Sequence, residues 1–399
     1  MSEPEPPGTP AVPSPEATDA SVPAEAEIAK GPPPGSPPSR RAAILRTSLV
    51  VGVLVVVFGV ILPNYIDYED MIAAFQGLSA QQILLLAFLG VVAWVVTGAI
   101  FSALIPGLSL LRGTEAWLIL AGIGASIPFG PWNMGVLWVV IRGWGRPAQA
   151  ASAGVALYGI FDQLSRLALG AIAPVFLIIA EGAGTDITIE NAAFWTVGGL
   201  ALLIFVLAVS VLILIVRSEK LARRIGELSQ RVVDWLLRRI GREETPDVTG
   251  SIARFRVTLG DTVRQRGLVA FLVSMVSKLA WCVLLTGALR AVGVPEDVLP
   301  TAEIFAVFAA VFIITIIPLS PGGAGVPEVL YITFFTALAG DAYSAQISAA
   351  VMLYRVFQWF LPIPLAWLLL WLARRGKPLL PTAGELRGRE LAATGTGAA

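Results

Sequence analysis

Apolar residues run along this chain in blocks long enough to enter or cross a bilayer, separated by short polar breaks. The first block is residues 44–62, and its nineteen residues, at about 1.5 Å each, cover a hydrocarbon core of about 30 Å. Further blocks follow at 80–105, 114–141, 147–181, 190–216, 266–293, 301–339 and 343–372. Each is expected to be helical, because a helix satisfies its own backbone hydrogen bonds in lipid. Two blocks are interrupted: Ile127-Pro128-Phe129-Gly130-Pro131 divides 114–141, and Pro318-Leu319-Ser320-Pro321-Gly322-Gly323 divides 301–339. The pieces fall short of the roughly 20 residues a crossing needs, so each pair reads as a re-entrant hairpin that enters and leaves on one face. The alternative is a full span kinked at proline.

Charge placement favours the hairpins. Lys and Arg gather in 142–146, 217–266 and 374–377, whereas the connections 64–79, 181–190 and 294–300 hold acids and neither Lys nor Arg. Basic loops stay in the cytoplasm, and this alternation is kept only if both interrupted blocks return to the face they left. The expected fold is therefore all-α: six full spans and two oppositely oriented re-entrant hairpins forming an inverted repeat. An echo at matching places supports the repeat. Residues 152–161 (SAGVALYGIF) align without gaps to 348–357 (SAAVMLYRVF), with six of ten positions identical.

The expected organisation has five parts. Residues 1–41 form a Pro-rich, disordered cytoplasmic tail, with twelve of the twenty-eight prolines in the first 39 residues and nothing to bury. Residues 42–216 make the first membrane half, and residues 266–375, joined by 190–216, make the second. Between them, 217–265 is a basic linker. Within it Leu221, Ile225, Leu228, Val232, Trp235, Leu236 and Ile240 recur at helical spacing with arginines between them, which predicts an amphipathic helix on the anionic leaflet or on the protein's own cytoplasmic face. Residues 376–399 are a second disordered cytoplasmic tail.

Composition narrows the function. Hydrophobic residues make up 56% and charged residues 14%, against about 25% charged in soluble proteins, which excludes a water-soluble enzyme. The chain has no histidine, so the usual general base and the commonest metal ligand are missing. The lone Cys282 permits no intrachain disulfide. No P-loop is present to bind ATP. Twenty-eight basic residues balance twenty-eight acidic ones, so nothing points to nucleic acid. No cofactor or metal is expected.

Polar residues at depth are the candidates for function, because an ionised side chain at the bilayer centre costs about 2.5–3.5 kcal/mol on the insertion scale unless it is paired or faces a cavity. Lys278 lies twelve residues past Arg266, about 18 Å into its span, and Arg355 is equally deep in the last one. Asp162 and Arg166 stand four apart on one helical face, where an i,i+4 pair would neutralise itself. Lys278 and Arg355 have no partner so near in sequence, and Glu328 is the candidate counter-ion across helices. The glycines Gly322, Gly323 and Gly325, followed by Pro327, predict an unusual backbone path into a half-helix. The N-terminus of that half-helix would aim amide donors and its positive dipole end at an anion such as phosphate. Glu328 would hold the place when no ligand is bound. Asp162, Arg166 and Asn133 form a candidate second site beside the first hairpin.

The string Pro318-Leu319-Ser320-Pro321-Gly322-Gly323-Ala324-Gly325-Val326-Pro327-Glu328, followed by Met352-Leu353-Tyr354-Arg355, resembles the lysylphosphatidylglycerol synthase transmembrane-region family, the flippase-like integral membrane proteins. The resemblance covers about residues 44–375. It implies an inner-membrane protein that translocates or otherwise handles polar lipids, aminoacylated phospholipids among them, with some relatives linked to polyprenyl-lipid and envelope-glycan pathways. Pro321, Gly322, Gly323, Gly325, Glu328 and Arg355 match the pattern. The first half departs from it, with Asn133 in a Trp132–Trp138 stretch where an acid often stands and Gly159 where relatives carry Arg. The soluble aminoacyl-transfer domain of the bifunctional members has no counterpart here.

A lipid flippase or lipid transporter in the cell membrane, with both termini cytoplasmic, is the first expectation. Membrane lipids, either a phospholipid or a polyprenyl-phosphate lipid, are the expected partners. The alternatives are a membrane enzyme acting on a polyprenyl-phosphate lipid, with Glu328 or Asp162 as acid or base, and a non-catalytic subunit of envelope-glycan assembly. Association as a homo-oligomer or with an envelope-assembly partner stays open.

Overall fold

Ser79 opens the first long helix with a reciprocal cap: its hydroxyl accepts the Gln82 amide at 3.3 Å, and the Gln82 side chain accepts the Ser79 amide at 2.8 Å, which satisfies two of the donors every helix start leaves over. The helices of this computed structural model are α1 (Tyr68–Gln76), α2 (Ala80–Leu104), α3 (Leu110–Ser126), α4 (Trp132–Gly143), α5 (Ala148–Gly182), α6 (Asn191–Arg217), α7 (Val248–Ala291), α8 (Thr301–Ile314), α9 (Val326–Ala339), α10 (Ser344–Arg355) and α11 (Pro362–Gly376). The structure describes residues 68–126, 132–185, 191–217, 248–316 and 323–376, all within the unit Val50–Ala399. The block at 44–62, the two tails, the 219–240 amphipathic stretch and both hairpin turns, Gly322 included, lie outside the described residues. No strand occurs among the described residues.

Four helical stretches are long and apolar enough to cross a membrane: Ala80–Leu104, Ala148–Gly182, Leu259–Ala291 and Asp341–Ala373. The chain is thus a multi-pass membrane protein, and many large apolar side chains on its outside, such as Leu84, Leu203 and Leu268, suit lipid rather than water. The two interrupted blocks fold as two pairs of half-length helices. α3, α4, α8 and α9 have 17, 12, 14 and 14 residues.

Two boundaries differ from those of the apolar blocks. α7 begins at Val248, inside the basic stretch 217–265. Hydropathy marks only the part of a helix that lipid surrounds, and Arg254, Arg256, Arg264 and Arg266 occupy the extension. The last block is not one uniform helix either. A π-turn over Val356–Phe360 separates α10 from α11. Pro362 and Pro364 remove the two amides that would bond back to Gln358 and Phe360, and a five-residue turn, with Leu361 N–H donating to the Val356 carbonyl at 2.8 Å, carries the chain past them.

α2 and α7 lie together at the centre, with α3 beside α2 and α5 beside α7. Thr97 and Ser277 share a hydrogen bond of 2.7 Å across the α2–α7 contact, and the Trp281 indole donates to Thr97 at 3.0 Å. α3 also packs on α11, and α8 packs on α5. At one end of the bundle, Arg266 donates to the Ala103 carbonyl at 3.4 Å and Arg146 to the Pro106 carbonyl at 3.0 Å. Arg266 thereby meets a carbonyl of the last turn of α2, and Arg146 one in the loop just after it.

At the opposite end, Arg290 joins α7 to α8 through the Val294 and Leu299 carbonyls and through Glu296. Burial raises the Glu296 carboxyl, but the Thr301 amide and hydroxyl together with Arg290 outweigh it and hold the group below the usual range.

Candidate functional site

Gly325 sits at φ 93°, a left-handed conformation only glycine adopts without strain. It lets the chain turn sharply into α9, whose second residue is Pro327 and whose third is Glu328. Glu328 reaches back and accepts the Gly325 N–H through Oε2 at 2.9 Å, while Oε1 accepts Arg355 Nε at 2.8 Å. Arg355 also donates to the Gly323 carbonyl at 2.6 Å and the Gln358 side chain at 2.5 Å, and Gln358 donates to the Tyr354 hydroxyl at 2.6 Å. Glu328 has no exposed surface and Arg355 only 4%. The half-helix N-terminus therefore already carries its anion, and that carboxylate fixes the guanidinium.

The second cluster corrects the expectation of a self-contained pair. Arg166 Nε donates to Asp162 Oδ2 at 3.0 Å, as helical spacing predicts, but Lys278 of α7 bonds the other carboxylate oxygen of Asp162. Lys278 thus takes Asp162 as counter-ion and Glu328 serves Arg355 alone. Arg166 further reaches Thr315 at 3.4 Å, and its guanidinium lies 4.9 Å from the Phe312 ring centre. One carboxylate here faces two cations.

A cavity of about 490 Å³ lies among α3, α4, α5, α8, α9 and α10, within the roughly 300–1,000 Å³ typical of ligand sites. Arg166, Arg355, Asn133 and Gly323 line it together with Gln358 and Thr315. The two sites expected separately therefore face one space. Lys278, Asp162, Glu328 and Gly325 are not among its lining residues; they hold the two arginines from behind. Asn133 donates to the Leu120 carbonyl at 3.4 Å, and its side-chain oxygen accepts the neighbouring Met134 amide at 2.9 Å.

Sequence reasoning missed Gln358, Thr315 and the aromatic wall of Trp117, Tyr158 and Trp359. Tyr158 and Tyr354 had left a signal as identical positions of the 152–161 and 348–357 echo. A series of rings runs between two cavity-lining residues: Trp117 to Trp281 at 5.5 Å, Trp281 to Tyr354 at 6.0 Å and Tyr354 to Tyr331 at 5.9 Å. The first half lacks an arginine at Gly159, but Arg166 brings one from two turns further along α5 to the same cavity.

Among the described residues no group of three or more His, Cys, Asp or Glu could hold a metal ion. Bidentate donors, neutral amides and aromatic faces around one cavity can bind a polar headgroup, with phosphate the best match to guanidinium geometry. Among curated proteins, none matches the chain. The family model described as the lysylphosphatidylglycerol synthase TM region matches residues 44–366, and with most of its length covered the chain belongs to that family.

Proposed function

We propose that this protein is a lipid flippase or lipid transporter that moves a polar, phosphate-bearing lipid between the leaflets of the cell membrane, with membrane lipids as its partners and no catalytic step. The observation that carries this reading is the cavity lined by Arg166 and Arg355 among the short helices α3, α4, α8 and α9. Charged side chains at depth that pair with one another and face a cavity mark ligand pathways. Each arginine is pre-oriented by a carboxylate on its far side, so binding requires little reordering of its side chain.

In this reading α3–α4 and α8–α9 are re-entrant hairpins entering from opposite faces, flanked by six full spans, with both termini in the cytoplasm. Their helices of 12 to 17 residues fall below the roughly 20 needed to cross. The reciprocal packing of α3 on α11 and α8 on α5 is what an inverted pair would produce. Rocking of one half against the other around a fixed midplane site would then expose the cavity alternately, with the acyl chains left in the bilayer.

Fluorescent phosphatidylglycerol in proteoliposomes tests the reading. Wild-type protein should let dithionite bleach label beyond the outer-leaflet share seen in protein-free vesicles, and Arg355→Gln should slow that phase by roughly tenfold, equivalent to about 1.4 kcal/mol. Bleaching identical to protein-free vesicles would overturn the reading. Product formed from a radiolabelled polyprenyl-phosphate donor would favour the enzymatic alternative instead.

A further inference from the structure

The lipid-transport reading leaves the headgroup unnamed, and the charges around the cavity define it more closely. Three cations, Lys278, Arg166 and Arg355, stand against two carboxylates, Asp162 and Glu328, because Asp162 is shared between Lys278 and Arg166. One positive charge is left over at the cavity. No Asp or Glu is among the lining residues, and the two hairpin turns, 127–131 and 317–322, contain no ionisable side chain at all. The sequence of those turns therefore adds no compensating charge, whatever path they take.

A positively charged headgroup could in principle bind to aromatic faces instead of carboxylates. Two of the lining rings are already engaged by the protein's own cations: Arg355 lies 5.8 Å from the Trp359 ring centre, and Arg166 and Lys278 lie 4.9 and 5.7 Å from that of Phe312. An incoming ammonium would meet like charge and no acid. The uncharged part of the lining consists of Asn133, Gln358 and Thr315, with Trp117 and Tyr158 as apolar walls. Amides and a hydroxyl donate to and accept from hydroxyls, and ring faces pack against the C–H faces of polyols.

We infer that the cavity selects a lipid with net negative charge, a phosphate carrying an uncharged polyol or sugar, and rejects a cationic aminoacyl headgroup. This specificity rests on the lipid-transport reading for its biological sense, but its binding test is independent of transport. The surplus charge has a definite source. Arg166→Gln would leave Asp162 paired with Lys278, and Lys278→Gln would leave it paired with Arg166, so each removes the excess without stranding a buried carboxylate.

Binding of short-chain phosphatidylglycerol, phosphatidylcholine and lysyl-phosphatidylglycerol to the detergent-purified full chain can be followed by tryptophan fluorescence, with Trp117 and Trp359 as reporters at the cavity. Phosphatidylglycerol should bind at least about tenfold more tightly than the lysyl lipid, a ratio worth about 1.4 kcal/mol, and both variants should narrow that ratio. Equal or tighter binding of the lysyl lipid, or no binding of any of the three, overturns the inference. Should phosphatidylglycerol bind selectively yet never cross proteoliposomes, the selectivity stands and the transport reading falls. If it crosses but the lysyl lipid crosses as fast and binds as well, the transport reading stands and the selectivity falls.

Discussion

Glu328 and Arg355 are the pair that ties the start of α9 to α10. Both carboxylate oxygens are used, one by the Gly325 amide and one by the guanidinium, and neither residue meets solvent to any extent. Such a pair gains little over an apolar replacement of both partners, yet stranding one partner costs about 3–5 kcal/mol. Arg355→Gln should therefore lower the unfolding temperature in detergent markedly, and adding Glu328→Gln to it should restore much of the loss. A double variant whose loss equals the sum of the two single losses would show that the charges are not coupled. Glu328, Arg355 and the Gly325 turn were legible in the sequence, because three and twenty-seven residues separate Glu328 from its partners and a glycine-rich string marks the turn between them. The link from Asp162 to Lys278 was not. It joins residues 116 apart on different helices, and nothing in either segment's own pattern shows which helices will be neighbours. The same is true of Thr315 and Gln358, ordinary polar residues until the fold sets them around one cavity.

Close approach between helices, not surface hydrophobicity, holds these elements together, since lipid tails compete equally for apolar faces. α2 and α3 meet at Gly98 and Gly113. A Cβ at Gly98 would collide with the backbone of Thr114, and one at Gly113 with the Gly98 carbonyl. Backbone cannot rotate aside as a side chain can, so Gly98→Ala should push α3 away from α2 and destabilise the protein by about 1–3 kcal/mol, visible as a lower unfolding temperature. Gly135, where a Cβ would meet nothing within 4 Å, is the matched control, and equal tolerance of alanine at both sites would refute the close-packing account. At this scale the sequence was most informative. Helix limits such as Ala148–Gly182 and Thr301–Ile314 lie within a residue of the apolar blocks at their defined ends, because a polar break and the end of lipid exposure coincide there. The start of α7 and the π-turn escaped notice for opposite reasons. A helix continues beyond the apolar block wherever the protein or the interface supports it, and two prolines in a strongly apolar run disturb its hydrogen bonding without lowering its hydropathy.

The whole molecule turns on whether the half-length helices return to the face they left. Two re-entrant hairpins place the α4–α5 connection in the cytoplasm and the α5–α6 and α7–α8 connections outside, in keeping with Arg142 and Arg146 at the first of these and Glu181 and Glu296 at the others. Two kinked full spans would invert all three, because the first extra crossing flips everything after it until the second restores the original sense. With both termini in the cytoplasm, as proposed, the α9–α10 connection is external under either arrangement and serves as an internal reference. The only cysteine, Cys282, is buried, so a Cys282→Ala background can carry single probes. Gly184, Gly293 and Gly340 have positive φ and are poor places for a side chain, which makes Gly143→Cys, Ala183→Cys, Asp297→Cys and Asp341→Cys the better set. With a membrane-impermeant maleimide on intact cells, the probes at 183, 297 and 341 should label and the probe at 143 should react only after permeabilisation. If 143 labels while 183 and 297 are protected, both blocks cross fully. The arms around the cavity would then no longer end partway through the bilayer from opposite faces, and the alternating-access route for a charged headgroup would lose its structural basis.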